Sequence, residues 1–247
     1  MKDICGLIFA AGNGTRLHPY TKDIPKTVLP IKEHVSLLSL KLDQLKERGI
    51  IDIFINYSYG EGYIKKVTQQ YESLNIVLIK ETIPLGHGKT LLENISLFGN
   101  FKYIYCTNGD TYIEYDYEDI KNSMIEEKTA FLSLSDNRLN IQKNILTGKN
   151  GEILGIDKKE NGSYTYDKKK IPEQTEKYNS IGEYYIDTTI LNNIDNNQDF
   201  IGMWGENDLI ELLITKGINC LVKDIHTYKY ITMNTIEEYK QIKEQYA

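Results

Sequence analysis

Residues Leu7–Ile31 read LIFAAGNGTRLHPYTKDIPKTVLPI, and the interpretation of this stretch decides what kind of chain this is. It lies on an apolar run, Ile4–Ala10, which reads as a buried strand. Gly12-Asn13-Gly14 follows almost at once and lets the backbone turn sharply without Cβ clashes. Such a turn can aim several amide N–H groups at one point, a geometry that suits a phosphate chain. Arg16 adds a planar cationic fork two residues past Gly14, and Lys26 adds a second cation just after Pro25. Amide donors and two cations together suit a triphosphate. A dinucleotide-binding fingerprint fits poorly: G-x-G-x-x-G needs glycine where Leu17 stands, and the second strand ends on Asn56 rather than on an acid.

Outward from this loop the first half of the chain alternates short β-rich runs with helical patterns. The strands expected are Ile4–Ala10, Ile51–Asn56, Asn75–Lys80, Lys102–Thr107 and Thr129–Ser135. Between them lie helical stretches at Leu37–Arg48, Glu61–Leu74, Lys89–Leu97 and Tyr117–Glu127. In the first of these, Leu38, Leu42 and Leu45 recur at steps of three and four, and Gly49 supplies a stop. This alternation predicts an α/β fold with a mostly parallel sheet flanked by helices, in which ligands bind at the carboxyl ends of strands. From about Thr147 to Asn179 charged and Tyr-rich segments suggest hairpins and a long loop, an inserted β-hairpin lid. Apolar runs return at Ile181–Leu191, Leu209–Ile214, Ile218–Val222 and Tyr228–Met233, and a closing helix spans Ile236–Glu244. A single domain over 1–247 is expected, its nucleotide half at about 1–135 and its acceptor and lid half at about 136–247.

Composition narrows the partners. The 247 residues carry a formal charge of −6, which argues against a nucleic-acid binder, because polyanion affinity comes mostly from Lys and Arg displacing counterions. An anionic small molecule is still compatible, since the field in a cleft can oppose the net charge. No stretch approaches the roughly 20 apolar residues of a membrane span. Cys5, Cys106 and Cys220 are widely spaced and odd in number, which points to buried, reduced thiols and a cytoplasmic protein.

A second glycine-rich segment, Gly86-His87-Gly88-Lys89-Thr90, looks like the end of a P-loop and also lies between a strand and a helix. That motif needs glycine at position 83, where Ile83 stands before Pro84, and a β-branched residue does not readily take the required backbone shape.

The whole 7–31 string resembles the signature of the sugar-1-phosphate nucleotidyltransferases, L-A-A-G-x-G-T-R-L-x-P-x-T-x-x-x-P-K-x-x-L-P-I. Ala10-Ala11-Gly12-Asn13-Gly14-Thr15-Arg16-Leu17, Pro19, Thr21, Pro25-Lys26 and Leu29-Pro30-Ile31 carry that resemblance. It implies a Rossmann-like fold of the nucleotide-diphospho-sugar transferase type. It further implies that Ala11, Gly12, Asn13, Gly14, Thr15 and Arg16 hold the leaving pyrophosphate, with Lys26 near the reacting phosphates. Glu81-Thr82-Ile83-Pro84-Leu85-Gly86-His87-Gly88 is similar to the family's E/Q-x-x-P-L-G-T-G segment, which implies that Glu81 and Gly86 contact the base. A carboxylate accepts two donors at once and so suits guanine better than uracil. His87 replaces the usual Thr and is a candidate contact to base or sugar. Asn108-Gly109-Asp110 ends a strand as the family's G-D does, which implies that Asp110 binds Mg²⁺.

The carboxyl-terminal half departs from the pattern. The family's second Asp falls on Thr232, a poorer cation ligand, so Asn234 is the preferred second metal ligand. On the acceptor side Lys159 matches the family's sugar-phosphate Lys, but Lys158 stands where its Glu would be. Asn179 and Glu183, in Asn179-Ser180-Ile181-Gly182-Glu183-Tyr184, are further acceptor-binding candidates, and Glu206-Asn207-Asp208 resembles the start of a family helix. The reading is therefore an enzyme that moves NMP from an NTP, GTP first, to a sugar 1-phosphate by Mg²⁺-assisted in-line attack. A cytidylyltransferase acting on a sugar phosphate or small phosphate ester, and a nucleotide-binding pseudo-enzyme, are the alternatives. Oligomeric state is not legible.

Overall fold

The computed structural model describes residues 2–118, 120, 130–158, 162–165, 175–192, 194 and 205–246. In chain order the strands are β1 (Lys2–Phe9), β2 (Asp52–Tyr57), β3 (Asn75–Lys80), β4 (Phe101–Asn108), β5 (Thr111–Tyr115), β6 (Phe131–Ser135) and β7 (Ile145–Thr147), followed by β8 (Ile153–Lys158), β9 (Gly162–Thr165), β10 (Glu176–Tyr178), β11 (Glu183–Asp187), β12 (Cys220–Asp224) and β13 (Thr227–Thr232). The helices are α1 (Leu37–Glu47), α2 (Glu61–Thr68), α3 (His87–Glu93), α4 (Ile95–Phe98), α5 (Thr188–Leu191), α6 (Glu206–Thr215) and α7 (Ile236–Gln245). These elements fall into two compact units. The first comprises Asp3–Leu85, Cys106–Glu114 and Tyr228–Ala247; the second comprises Met1–Lys2, Gly86–Tyr105 and Tyr115–Thr227.

In the first unit the sheet runs β4-β1-β2-β3, with β1 parallel to β2 and β2 parallel to β3. Cys5, Leu7 and Ile8 are wholly buried, as expected of a parallel strand covered on both faces. Helix α1 follows its apolar spacing: Leu38, Leu42 and Leu45 are buried, Ser36 caps its start in a reciprocal pair with Ser39, and Gly49 takes the left-handed turn after it. A core cluster of Leu17, Leu29, Ile31, Leu37, Ile231, Met233, Tyr239 and Ile242 packs the 17–31 segment against β13 and α7. Each such side chain contributes roughly 1.5–3 kcal/mol by burial, which suffices to hold the two ends of the chain together. β5 pairs with β13 in a small two-stranded sheet.

In the second unit the sheet runs β12-β6-β11-β4, with β12 parallel and β11 antiparallel to β6. A four-stranded sheet, β10-β7-β8-β9, is antiparallel throughout and supplies the hairpins expected between 147 and 179. The chain therefore has the expected mixed α/β architecture, with a mostly parallel central sheet and flanking helices.

Three local expectations shift. The helix expected at Lys89–Leu97 begins at His87 and is broken at Asn94, whose Nδ2 donates to Thr90 O at 2.8 Å and separates α3 from α4. The helix expected at Glu61–Leu74 ends at Thr68 and continues as turns to Leu74. β5 was not anticipated, although Thr111–Tyr115 buries alternate residues. Most of Tyr117–Glu127, and Lys159 with Glu160, lie outside the described residues. Cys5, Cys106 and Cys220 are buried thiols that take part in no disulfide. Among the described residues no helix is long and apolar enough to cross a membrane.

Candidate active site

Past β1 the chain enters Ala10-Ala11-Gly12-Asn13-Gly14 and then a short 3₁₀ turn, Thr15–Leu17. Gly14 has φ 61°, and a Cβ there would lie 3.2 Å from Thr21 Cγ2, so the left-handed turn requires glycine. Gly12 has open space where a Cβ would stand, which leaves its backbone approachable by a ligand. Hydroxyl groups tether the loop through its carbonyls: Ser58 Oγ donates to Ala11 O (2.7 Å), Tyr59 OH to Asn13 O (3.3 Å) and Thr21 Oγ1 to Gly14 O (2.7 Å). In a trans peptide the N–H points away from the C=O, so fixing these carbonyls fixes the following amides of Gly12, Gly14 and Thr15 as donors facing the other way. Ser58 and Tyr59 were missed by the sequence reading. Their signal was their place just past the carboxyl end of the second strand.

Two glycines bring the charged groups in. A Cβ on Gly60 would lie 2.3 Å from the Pro25 ring, so its absence lets Pro25, and with it Lys26, pack close. A Cβ on Gly109 would stand 3.0 Å from Thr27 Cγ2 and 3.1 Å from both Ile8 Cγ2 and Phe9 O, while its N–H donates to Phe9 O at 2.9 Å. Asp110 thereby reaches Lys26, and Lys26 Nζ pairs with Asp110 Oδ2. Thr111 Oγ1 donates to the other Asp110 oxygen at 3.1 Å. Asp110 keeps 20% of its side chain exposed.

Asn234 arrives from 208 residues beyond Lys26 in sequence. Met233 N–H donates to Asp110 O (3.1 Å), anchoring the end of β13 beside the site. Asn234 Oδ1 accepts from Arg16 Nη2 at 3.2 Å and from Lys26 Nζ at 3.5 Å. Its Nδ2 donates to Thr232 Oγ1 and its backbone N–H to Glu238 Oε2, each at 2.5 Å. Arg16, Lys26, Asp110 and Asn234 thus converge in one unit. Asp110, Thr111 and Asn234 offer hard oxygen donors of the kind Mg²⁺ takes, and Mg²⁺ usually needs only one or two protein carboxylates because substrate phosphates supply the rest. The residues fit that ion. Among the described residues no cluster of three or more His, Cys, Asp or Glu could hold a metal.

The remaining candidates are placed as follows. Glu81 is buried, and its carboxylate accepts from Asn56 Nδ2 (2.8 Å) and Leu85 N–H (2.9 Å). In the second unit Gly86, at φ 81°, opens α3, and His87 Nδ1 lies 3.3 Å from the Tyr184 hydroxyl. Asn179 is wholly buried and bridges the end of β6: its Oδ1 accepts from Ser135 Oγ and Asp136 N–H, and its Nδ2 donates to Asp136 O. Glu183 is buried on β11. Lys159 lies outside the described residues. A cavity of about 590 Å³ in the second unit, bordered by Asn150, Leu154, Ile214 and Asn219, contains none of the candidate residues.

The profile of the nucleotidyl transferase family matches residues 5–221, and the chain belongs to that family. It is 32% identical over 116 residues to a D-glycero-α-D-manno-heptose 1-phosphate guanylyltransferase of Campylobacter jejuni, a match covering 47% of this chain and 51% of that protein. It is 28% identical over 120 residues to a mannose-1-phosphate guanyltransferase of Saccharomyces cerevisiae, covering 47% of this chain and 33% of that one. The matches thus span from a third to about half of the length of these curated relatives. Two solved structures share the fold. A Bacillus anthracis protein assigned as a glucose-1-phosphate thymidylyltransferase superposes with TM-score 0.76 at 16% identity, over 98% of this chain and 94% of that one. HddC from Yersinia pseudotuberculosis superposes with TM-score 0.71 at 20% identity, over the full length of both.

Proposed function

We propose that this protein transfers a nucleoside monophosphate, guanylyl by preference, from an NTP to a sugar 1-phosphate and releases pyrophosphate. The observation that carries the proposal is the convergence of Arg16 and Lys26 on the Asn234 amide, with Asp110 paired to the same Lys26, next to a glycine loop with fixed amide donors. Family membership supports nucleotidyl transfer. The curated relatives named as guanylyltransferases support both the guanine base and a sugar 1-phosphate of the mannose or heptose type.

The chain's own residues suit that chemistry. The attacking oxygen belongs to a phosphate already ionised at pH 7, so no general base is needed. Catalysis then reduces to alignment and charge neutralisation. The amides of Gly12, Gly14 and Thr15, with Arg16, would hold the β- and γ-phosphates that leave. Lys26 would neutralise charge at the reacting phosphates. Asp110 would hold Mg²⁺, with Asn234 Oδ1 as the second oxygen of the same cluster, and the bound ion would supply further positive charge to the phosphate oxygens. Lys159, Asn179 and Glu183 are the proposed acceptor contacts, and Gly86 and His87 the proposed contacts to base or sugar.

Thermal shift with GTP, CTP, UTP and dTTP, each with and without Mg²⁺, tests the reading, because a ligand that binds the native state raises its apparent stability. The largest Mg²⁺-dependent shift is expected with GTP. Pyrophosphate release should then follow addition of a hexose or heptose 1-phosphate. A largest shift with CTP would move the proposal to cytidylyl transfer. Nucleotide binding without pyrophosphate release from any sugar phosphate would make the chain a nucleotide-binding pseudo-enzyme.

A further inference from the structure

A buried polar thread joins the glycine loop to the 82–85 segment across the carboxyl ends of β1, β2 and β3. Ala10 N–H, just past β1, donates to Asn56 Oδ1 at 2.6 Å. Asn56 Nδ2, within β2, donates to Glu81 Oε1 at 2.8 Å. Glu81, just past β3, accepts Leu85 N–H on its other oxygen at 2.9 Å, and its own N–H donates to Tyr57 O at 2.8 Å. Asn56 is 2% exposed and Glu81 is 3% exposed.

The thread has a direction, and Glu81 sets it. Carboxylate oxygens accept, so Asn56 must turn its NH₂ toward Glu81 and its carbonyl oxygen toward Ala10 N–H. The backbone donors at the two ends, Ala10 and Leu85, cannot change sign. Between them stands one amide and one all-acceptor group, which is the combination that satisfies the three contacts of the thread. We propose that Glu81 is a positioning residue: through the Asn56 amide and the Leu85 N–H it holds the start of the glycine loop and the 82–85 segment in one arrangement. The kinetic consequence rests on the nucleotidyl transfer proposed above; the structural consequence does not.

The resemblance noted in the sequence places Gln at this position in many members, and Glu81→Gln is the informative change here. If the new amide oxygen faced Asn56, its NH₂ would meet Leu85 N–H. If the oxygen faced Leu85, its NH₂ would meet the Asn56 NH₂, and flipping Asn56 would only turn that NH₂ onto Ala10 N–H. Among these contacts, every arrangement sets one donor against another in a buried place, which is costly. Moving the carboxylate one step along the thread removes the conflict. In the double variant N56D/E81Q, the carboxylate at 56 accepts from Ala10 N–H and from the amide at 81, whose oxygen accepts from Leu85 N–H.

The test measures melting temperature and the dissociation constants of GTP, CTP, UTP and dTTP for the wild type, E81Q and N56D/E81Q. E81Q should melt lower and bind all four nucleotides more weakly by a common factor of about ten. N56D/E81Q should recover most of both losses. If E81Q yields no folded protein, folded N56D/E81Q sustains the inference and an equally unfolded double variant overturns it. It is also overturned if E81Q melts as the wild type does but changes the order of preference among the nucleotides, or if the double variant is no better than E81Q. A wild type that binds no nucleotide would defeat the proposed function, while recovery of melting temperature in the double variant would still uphold the thread.

Discussion

Two aspartates stand just past the carboxyl end of a strand, Asp110 after β4 and Asp136 after β6, and their surroundings separate them. Asp136 is 2% exposed and accepts from Arg138 N, Nε and Nη2 and from Thr227 N and Oγ1, at 2.5–3.0 Å. Burial by itself would raise its pKa, but the hydrogen bonds from Arg138 and Thr227 outweigh burial and hold it well below the ordinary carboxylate range. Arg138 is fastened in turn to Ile225 O at 3.0 Å and contacts His226 Nδ1. Asp110 has one lysine and one threonine hydroxyl, keeps an exposed edge, and shares Lys26 with Asn234. A carboxylate with its lone pairs filled by fixed donors is a fastening. One held by a few groups at an open edge can exchange partners with a phosphate or a cation.

Substitutions can break this contrast, and the largest effect is expected at the open site. Asp110→Ala should lower turnover by at least about 10²-fold while leaving the urea midpoint near the wild-type value, because the lost group serves charge stabilisation. Steady-state pyrophosphate release alongside urea unfolding would check both halves, and near-normal turnover would remove Asp110 from the chemistry. Asp136→Asn should do the reverse. It should cost on the order of 2–4 kcal/mol of stability, toward the low side for a broken buried pair because Arg138 is half exposed, with turnover per folded molecule retained. Since the folded pKa of Asp136 is depressed, its contribution is present above about pH 4 and is lost as the pH falls further. The gap between wild type and variant in urea titrations should therefore narrow in acid.

Smaller effects sharpen the comparison. Arg16→Ala should weaken pyrophosphate binding about tenfold, roughly one charge-assisted hydrogen bond, and titration calorimetry should show the loss shrinking with added salt. Glu206, in the second unit, is a third kind of acid. It is 9% exposed, accepts from Ser133 Oγ (2.8 Å) and Ser180 Oγ (2.5 Å), and burial pushes its carboxyl up to about 7 against those two bonds. Its folded pKa lies above the unfolded one, so the native state binds the extra proton and loses stability as the pH rises toward 7. Glu206→Gln should remove that loss and stabilise the protein by about 1 kcal/mol at pH 8, with no gain at pH 4. Thermal melts across that range would show it.

Local chemistry made much of this legible from sequence. The apolar run before Gly12-Asn13-Gly14, the leucine spacing of α1 and the strand-like stretches gave their elements nearly where they stand, because these signals depend on neighbours within a few residues. Arg16, Lys26 and Asp110 were legible as a set through the resemblance of the motifs that contain them. Asn234 was legible as a candidate, but its engagement with both cations was not, because it depends on β13 and α7 packing under the 17–31 segment. Glu81 and Asn179 were legible as candidate ligand contacts through the resemblance of their segments, while the backbone and side-chain groups that each also holds became visible only in the fold.

The sequence alone determined the alternation of strands and helices and the inventory of charges, because hydrophobic period, glycine freedom and side-chain ionisation are properties of short stretches. Only the tertiary structure decided which acid is exposed and which is saturated, and which amide faces the cations. Burial and hydrogen-bond partners are set by groups tens to hundreds of residues away, and no local pattern encodes where those groups will be.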